Sequence, residues 1–102
     1  MEQLYAQQWK EKLDASSDGI IIDVRTPEEW EGGIIPNAVL KNIHEQQEFT
    51  DFVQYLDKDK EYFMYCKSGA RSGNACAYMQ SIGFTKTYNL AGGYVNWPYK
   101  SK

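Results

Sequence analysis

The apolar and polar positions of this chain follow two periods in turn. Tyr5, Trp9 and Leu13 recur at every fourth position, which predicts an amphipathic helix over Tyr5 to Leu13. Asp14 to Gly19 is loop chemistry. Ile20-Ile21-Ile22-Asp23-Val24 then forms a β-branched run, the pattern of a strand covered on both faces of a parallel sheet. Thr26-Pro27-Glu28-Glu29 reads as a helix start, with Thr26 as N-cap, Pro27 in the first helical position and Glu29 three residues after the cap. Gly32-Gly33 stops that helix early, and Ile34 to Ala38 leads into a short strand near Val39-Leu40. Phe49, Phe52, Val53 and Leu56 sit at helical intervals within Glu45 to Leu56.

A charged turn, Asp57 to Lys60, precedes the apolar and aromatic stretch Glu61-Tyr62-Phe63-Met64-Tyr65, which reads as a buried strand. A loop follows, and a helix is expected over Ser72 to Ile82, with Ala75, Cys76, Tyr78, Met79 and Ile82 offering its apolar face and Gly83 its C-terminal cap. Thr85 to Leu90 reads as a last strand, Ala91-Gly92-Gly93 as a turn, and Tyr94 to Trp97 as a helical turn ended by Pro98. Strands alternate with helices throughout. The expected architecture is α/β: one domain over residues 1–102, with a mostly parallel central sheet of about five strands flanked by helices on both faces.

Composition narrows the classes of function. The 102 residues suffice for one core, and 42% hydrophobic with 25% charged residues is ordinary for a globular protein. At a net charge of −3 and without a Lys/Arg run, the chain gives no electrostatic reason to expect nucleic-acid binding. Met1-Glu2-Gln3 opens on polar residues rather than a secretory signal, and no apolar run approaches a membrane span. Cys66 and Cys76 lack C-x-x-C spacing, and the single histidine, His44, lies far from both. No metal site, cofactor or disulfide framework is expected, and a reducing cytoplasm is the simplest setting.

One stretch carries candidate chemistry. Cys66 stands where the buried strand stops, Lys67-Ser68-Gly69-Ala70 wrap it, and Arg71-Ser72 lead into the next helix. A thiol between a strand end and a helix start meets unpaired backbone N–H groups and the positive end of a helix dipole, both of which favour the thiolate. Open α/β sheets bind ligands at such strand ends. The N–H groups from Lys67 to Ser72 suit an anion-binding nest. Arg71 is able to give an oxyanion two parallel hydrogen bonds, and Lys67 adds a point charge.

Three segments together resemble one family. Ile21-Ile22-Asp23-Val24-Arg25-Thr26-Pro27-Glu28-Glu29-Trp30 with Gly33-Ile34-Ile35-Pro36-Asn37-Ala38 is similar to the opening signature of rhodanese-like domains. Cys66-Lys67-Ser68-Gly69-Ala70-Arg71-Ser72 resembles their active-site loop. Gly83-Phe84, Asn89-Leu90-Ala91-Gly92-Gly93 and Trp97 resemble their closing signature. The family often carries His and Gly where this chain has Ile34 and Asn37. The resemblance implies a rhodanese-like fold and a sulfurtransferase. Cys66 would take a sulfane sulfur from an anionic donor such as thiosulfate. It would pass that sulfur from a persulfide to cyanide or a thiol. The resemblance also implies that Asp23 and Arg25 sit under or beside the loop, with Asp23 accepting from loop or helix N–H groups and Arg25 as its ion-pair partner or part of the pocket wall. A buried structural pair is the blander reading of those two. Related phosphatases and arsenate reductases have one residue more than the four between Cys66 and Arg71 here, so sulfur transfer is ranked above oxyanion chemistry.

The rival readings use the same cysteine. Cys66 would serve a carrier by holding a persulfide from a relay partner protein. A regulatory domain without turnover would not need the intact loop. Cys76, on an apolar helix face, reads as core packing rather than a resolving thiol. His44 reads as a residue flanking a helix, and the acidic run Glu28-Glu29-Trp30-Glu31 as a solvated helix face.

Overall fold

The computed structural model describes residues 1–100. The elements in chain order are β1 (Glu2–Leu4), α1 (Ala6–Ala15), β2 (Ile20–Asp23), α2 (Pro27–Glu31), β3 (Val39–Leu40), α3 (Gln46–Gln54), β4 (Tyr62–Tyr65), α4 (Ala70–Ser81) and β5 (Thr87–Leu90), followed by a 3₁₀ turn at Tyr94–Asn96. The five strands form one sheet in the order β1-β5-β4-β2-β3. Every pairing in it is parallel. β4, all four residues of which are buried, lies at the centre. No helix of the described residues is long and apolar enough to cross a membrane.

Alternation along β2 and β4 divides the core into two layers. Ile22, Val24, Tyr62, Met64 and Cys66 point to one face, where Phe49 and Val53 of α3 and Ala75, Cys76 and Met79 of α4 cover them. Ile21, Phe63 and Tyr65 point to the other, against Trp9 of α1, Ile35 and Trp97. Trp9 makes edge-to-face contacts with Phe63, Tyr65 and Trp97, and its indole N–H donates to the Tyr88 carbonyl at 3.2 Å. Six aromatic residues, Trp9, Phe63, Tyr65, Tyr88, Tyr94 and Trp97, pack in this second layer.

α2 starts as its sequence predicts. The Thr26 hydroxyl accepts from the Glu29 N–H, and the Glu29 carboxylate accepts from the Thr26 N–H at 3.1 Å, a capping box. Besides shifts of one or two residues at other element ends, two differences from expectation bear on the site. α4 begins at Ala70 rather than Ser72, because Gly69 adopts φ +102° at its N-cap and turns the chain into the helix two residues early. β1 is an additional strand. Glu2, Gln3 and Leu4 carry no strand pattern, and they are extended because β5 lends them an edge to pair with, Gln3 opposite Asn89.

Candidate active site

The loop from Cys66 to Ser72 joins the centre of the sheet to α4, so the sulfur sits at the carboxyl end of β4. Cys66 is completely buried. Its Sγ accepts from the Gly69 N–H at 3.1 Å, and the Ser72 hydroxyl lies 3.4 Å away. Burial by itself works against the thiolate. The Ser72 hydroxyl and the N–H groups of Ser72, Gly69 and Ser68 outweigh it, and the thiol is held below its ordinary range. Cys76, one layer in, has no such ring of donors. Burial pushes its thiol up to about 12, so it is chemically quiet at neutral pH. Lys67, Ser68 and Ala70 are exposed, Gly69 and Arg71 half-buried and Ser72 buried.

Ser72 has one hydroxyl proton and three acceptors within reach. Besides Sγ these are the Gly69 carbonyl at 3.3 Å and Asn89 Oδ1 at 2.5 Å. The Asn89 amide is held in turn, donating to Gln3 Oε1 at 2.8 Å and the Gly69 carbonyl at 3.0 Å. A polar chain thus runs from β1 through β5 to the sulfur. Sequence reasoning took Asn89 only as part of a signature. The available signal was an asparagine inside the buried strand Thr87–Leu90, because buried amides need partners.

The loop is clamped from its far side. Tyr94 N–H donates to the Cys66 carbonyl at 2.8 Å and Val95 N–H to the Lys67 carbonyl at 3.1 Å. Gly93, at φ +66° and ψ −170°, brings the backbone against the loop closely enough that a Cβ there would lie 2.2 Å from the Lys67 carbonyl oxygen.

Asp23 and Arg25 form a buried ion pair. Arg25 Nη2 donates to Asp23 Oδ2 at 2.8 Å, and Nε to both carboxylate oxygens. Arg25 also donates to the carbonyls of Gly33 and Glu29 at 2.8 and 3.4 Å. Its guanidinium lies 4.5 Å from the centre of the Tyr94 ring. Asp23 accepts from the backbone N–H of Arg25 itself at 3.0 Å. The Tyr65 hydroxyl accepts from the Ile35 N–H at 3.0 Å. The pair therefore braces the strand ends beside the loop, with all three guanidinium nitrogens hydrogen-bonded.

Arg71 is placed differently from a free anion clamp. Its Nη1 and Nη2 donate to the two oxygens of Glu29 at 2.8 and 2.9 Å. Arg71 holds the Glu29 carboxyl at about 2, well below the usual carboxylate range, with further help from Thr26. The sequence presents Glu29 as a capping residue on a solvated acidic helix face; instead it is half-buried and paired, because the fold sets it opposite a residue 42 positions away. A cleft of about 270 Å³ beside the loop is lined by Arg25, Glu29, Gly32, Lys67, Tyr94, Val95 and Lys100. Another, of about 560 Å³, lies near the start of β2 and is lined by Lys10, Ile20, Pro36 and Trp97 among others, none of them loop residues. Among the described residues no group of three or more His, Cys, Asp or Glu is arranged to hold a metal ion.

The chain as a whole has counterparts among known proteins. The family model described as the rhodanese-like domain matches residues 2–100. The chain belongs to the rhodanese-like family. It is 44% identical over 96 residues to YtwF of Bacillus subtilis, which carries a provisional sulfurtransferase name, covering 91% of this chain and 86% of that one. It is 32% identical over 97 residues to a sulfurtransferase of Allochromatium vinosum, covering 95% and 88%. The crystal structure of a rhodanese-like domain protein from Staphylococcus aureus superimposes with a TM-score of 0.83 at 30% identity, over 99% of this chain and 97% of that one.

Proposed function

We propose that this chain is a sulfurtransferase that works through a persulfide on Cys66. The observation that carries the reading is the sulfur at the end of β4, ringed by loop N–H groups and held below its ordinary pKa. The thiolate attacks the outer, sulfane sulfur of thiosulfate. The S–S bond to the sulfonate breaks and sulfite leaves, so the charge of −3 on the reactants is conserved in the persulfide anion and sulfite. A thiolate or cyanide then attacks the outer sulfur of the persulfide, and Cys66 leaves as the thiolate. No general base is required, because sulfite is a good leaving group and the loop N–H groups stabilise the anionic sulfur. Asp23 and Arg25 brace the strand ends beside the loop, and Arg25 packs against Tyr94, whose N–H clamps it. Two buried, unpaired cysteines suit a reducing, cytoplasmic setting.

A carrier that receives its persulfide from a relay partner is the second reading. One observation favours it: the Arg71 fork is taken by Glu29, which among the described residues leaves Lys67 as the loop cation without an ion-pair partner toward a small oxyanion. The test is thiocyanate formation from thiosulfate and cyanide by the wild type and Cys66→Ala, with intact mass after thiosulfate treatment. Turnover and added sulfur that both vanish in Cys66→Ala are expected. No turnover and no added sulfur on the wild type would sink the enzyme reading, and loading without turnover would point to the carrier.

A further inference from the structure

We propose that Glu29 is a specificity-determining residue that turns the site away from sulfonate-terminated donors and toward persulfides of small carboxylate-bearing thiols. The proposal rests on the sulfurtransferase reading and names its donor class. The parallel fork that Arg71 gives to Glu29, at 2.8 and 2.9 Å, is the geometry a sulfonate would need from the same guanidinium. Glu29 is not a loose surface partner. Its Oε1 also accepts from the N–H and hydroxyl of Thr26 at 3.1 and 3.0 Å, and its own N–H sits on the Thr26 hydroxyl. The capping box thus fixes the carboxylate before any donor arrives, and the side chain is only 24% exposed.

Glu29 lines the cleft beside the loop together with Lys67, Tyr94 and Lys100. The arginine that lines that cleft, Arg25, is spent on Asp23 and Gly33. A sulfonate in this cleft therefore finds Arg25 committed, a carboxylate facing it, and Arg71 behind that carboxylate and paired with it. To use Arg71 it must displace Glu29 and leave a negative charge unpaired next to its own two. A persulfide needs neither. Its outer sulfur alone enters the loop, and carboxylates farther out on the donor can meet Lys67 and Lys100, whose ammonium lies 4.7 Å from the Tyr94 ring centre. The step balances as R–S–SH plus the Cys66 thiolate giving the Cys66 persulfide and R–S⁻. The thiol donor leaves as a thiolate, and no outside oxidant or reductant is involved.

The test compares second-order rates of sulfur loading on Cys66, read by intact mass, with thiosulfate and with glutathione persulfide as probes. Glu29→Gln keeps a residue suited to the capping box and removes the charge. The ratio of thiosulfate to persulfide loading is expected to rise about five- to tenfold, through half-saturation by thiosulfate rather than the limiting rate, the order of neutralising one partly screened charge. In Glu29→Gln/Arg71→Ala the gain should disappear, because a freed Arg71 is its source. An unchanged ratio, a fall in both rates by one factor, or a gain that survives loss of Arg71 would each overturn the proposal while leaving the sulfurtransferase reading intact. Failure of the wild type to load from either probe would overturn both.

Discussion

Replacing Gly93 by alanine should disable the loop more than it destabilises the fold. At φ +66° and ψ −170° Gly93 occupies a region open essentially to glycine, and a side chain there costs about 1–3 kcal/mol. The added Cβ would stand 2.2 Å from the Lys67 carbonyl oxygen, 2.4 Å from its carbon and 2.6 Å from the Ser68 nitrogen. A carbon approaches a carbonyl oxygen comfortably at about 3.3 Å, so one backbone must retreat by roughly 1 Å. The 3₁₀ turn is tied to the loop by Tyr94 and Val95, so the retreat is transmitted to the N–H groups around the sulfur. A displacement of that size costs on the order of a hundredfold in rate. The strain alone lowers the melting temperature of a domain this long by roughly 4–20 °C. Intact mass after timed exposure to a sulfane donor, with a thermal melt of the same sample, reads both effects. Gly32→Ala is the control. Its Cβ meets only the Glu29 carbonyl at 3.6 Å, with φ at −80°, and it should melt within a few degrees of wild type. Gly93→Ala with wild-type loading and melting would refute the reasoning.

Three other outcomes follow from the same contacts. Asp23→Asn leaves the Arg25 guanidinium buried without a counter-charge, and urea unfolding should show a loss of about 3–5 kcal/mol; a loss under 1 kcal/mol would mean the pair is dispensable. Ser72→Ala removes the hydroxyl beside the sulfur, and the pH midpoint of Cys66 thiolate absorbance should rise, because a donor to the charged form is lost; an unmoved midpoint would assign the Ser72 proton to its other acceptors, Asn89 and the Gly69 carbonyl. Thiol alkylation of the native protein should reach half its maximal rate at Cys66 below the ordinary thiol range, since its thiol is held low and the thiolate fraction grows as pH rises through that point. Cys76, pushed up to about 12, should be modified only after unfolding, and peptide mapping that found it modified first would reverse the assignment.

Local patterns in the chain specify much of this molecule. The β-branched run at Ile20 to Val24 and the aromatic run at Tyr62 to Tyr65 are strands because residues of that kind fit a sheet covered on both sides. Thr26, Pro27 and Glu29 start α2 because a capping box is completed within four residues. The position of Cys66 between a strand and a helix is equally local, and with it the favour shown to a thiolate. These features need only neighbours along the chain.

Other features need neighbours across the fold. Glu2 to Leu4 become a strand only because β5 presents an unpaired edge. Cys66 and Cys76 lie on the same sheet face within one core, yet only one has N–H donors directed at its sulfur, and that separates a reactive thiol from an inert one. Asn89 reaches the loop only through the parallel pairing that sets β5 beside β4. Arg71 reads from its own segment as a clamp for an incoming anion, but the packing of α2 against the loop gives its fork to Glu29. Secondary structure is encoded by spacing within a few residues, and so it is written in the sequence. The charge balance of the site depends on which distant side chains the fold brings within 3 Å of one another, and only the tertiary structure decides that.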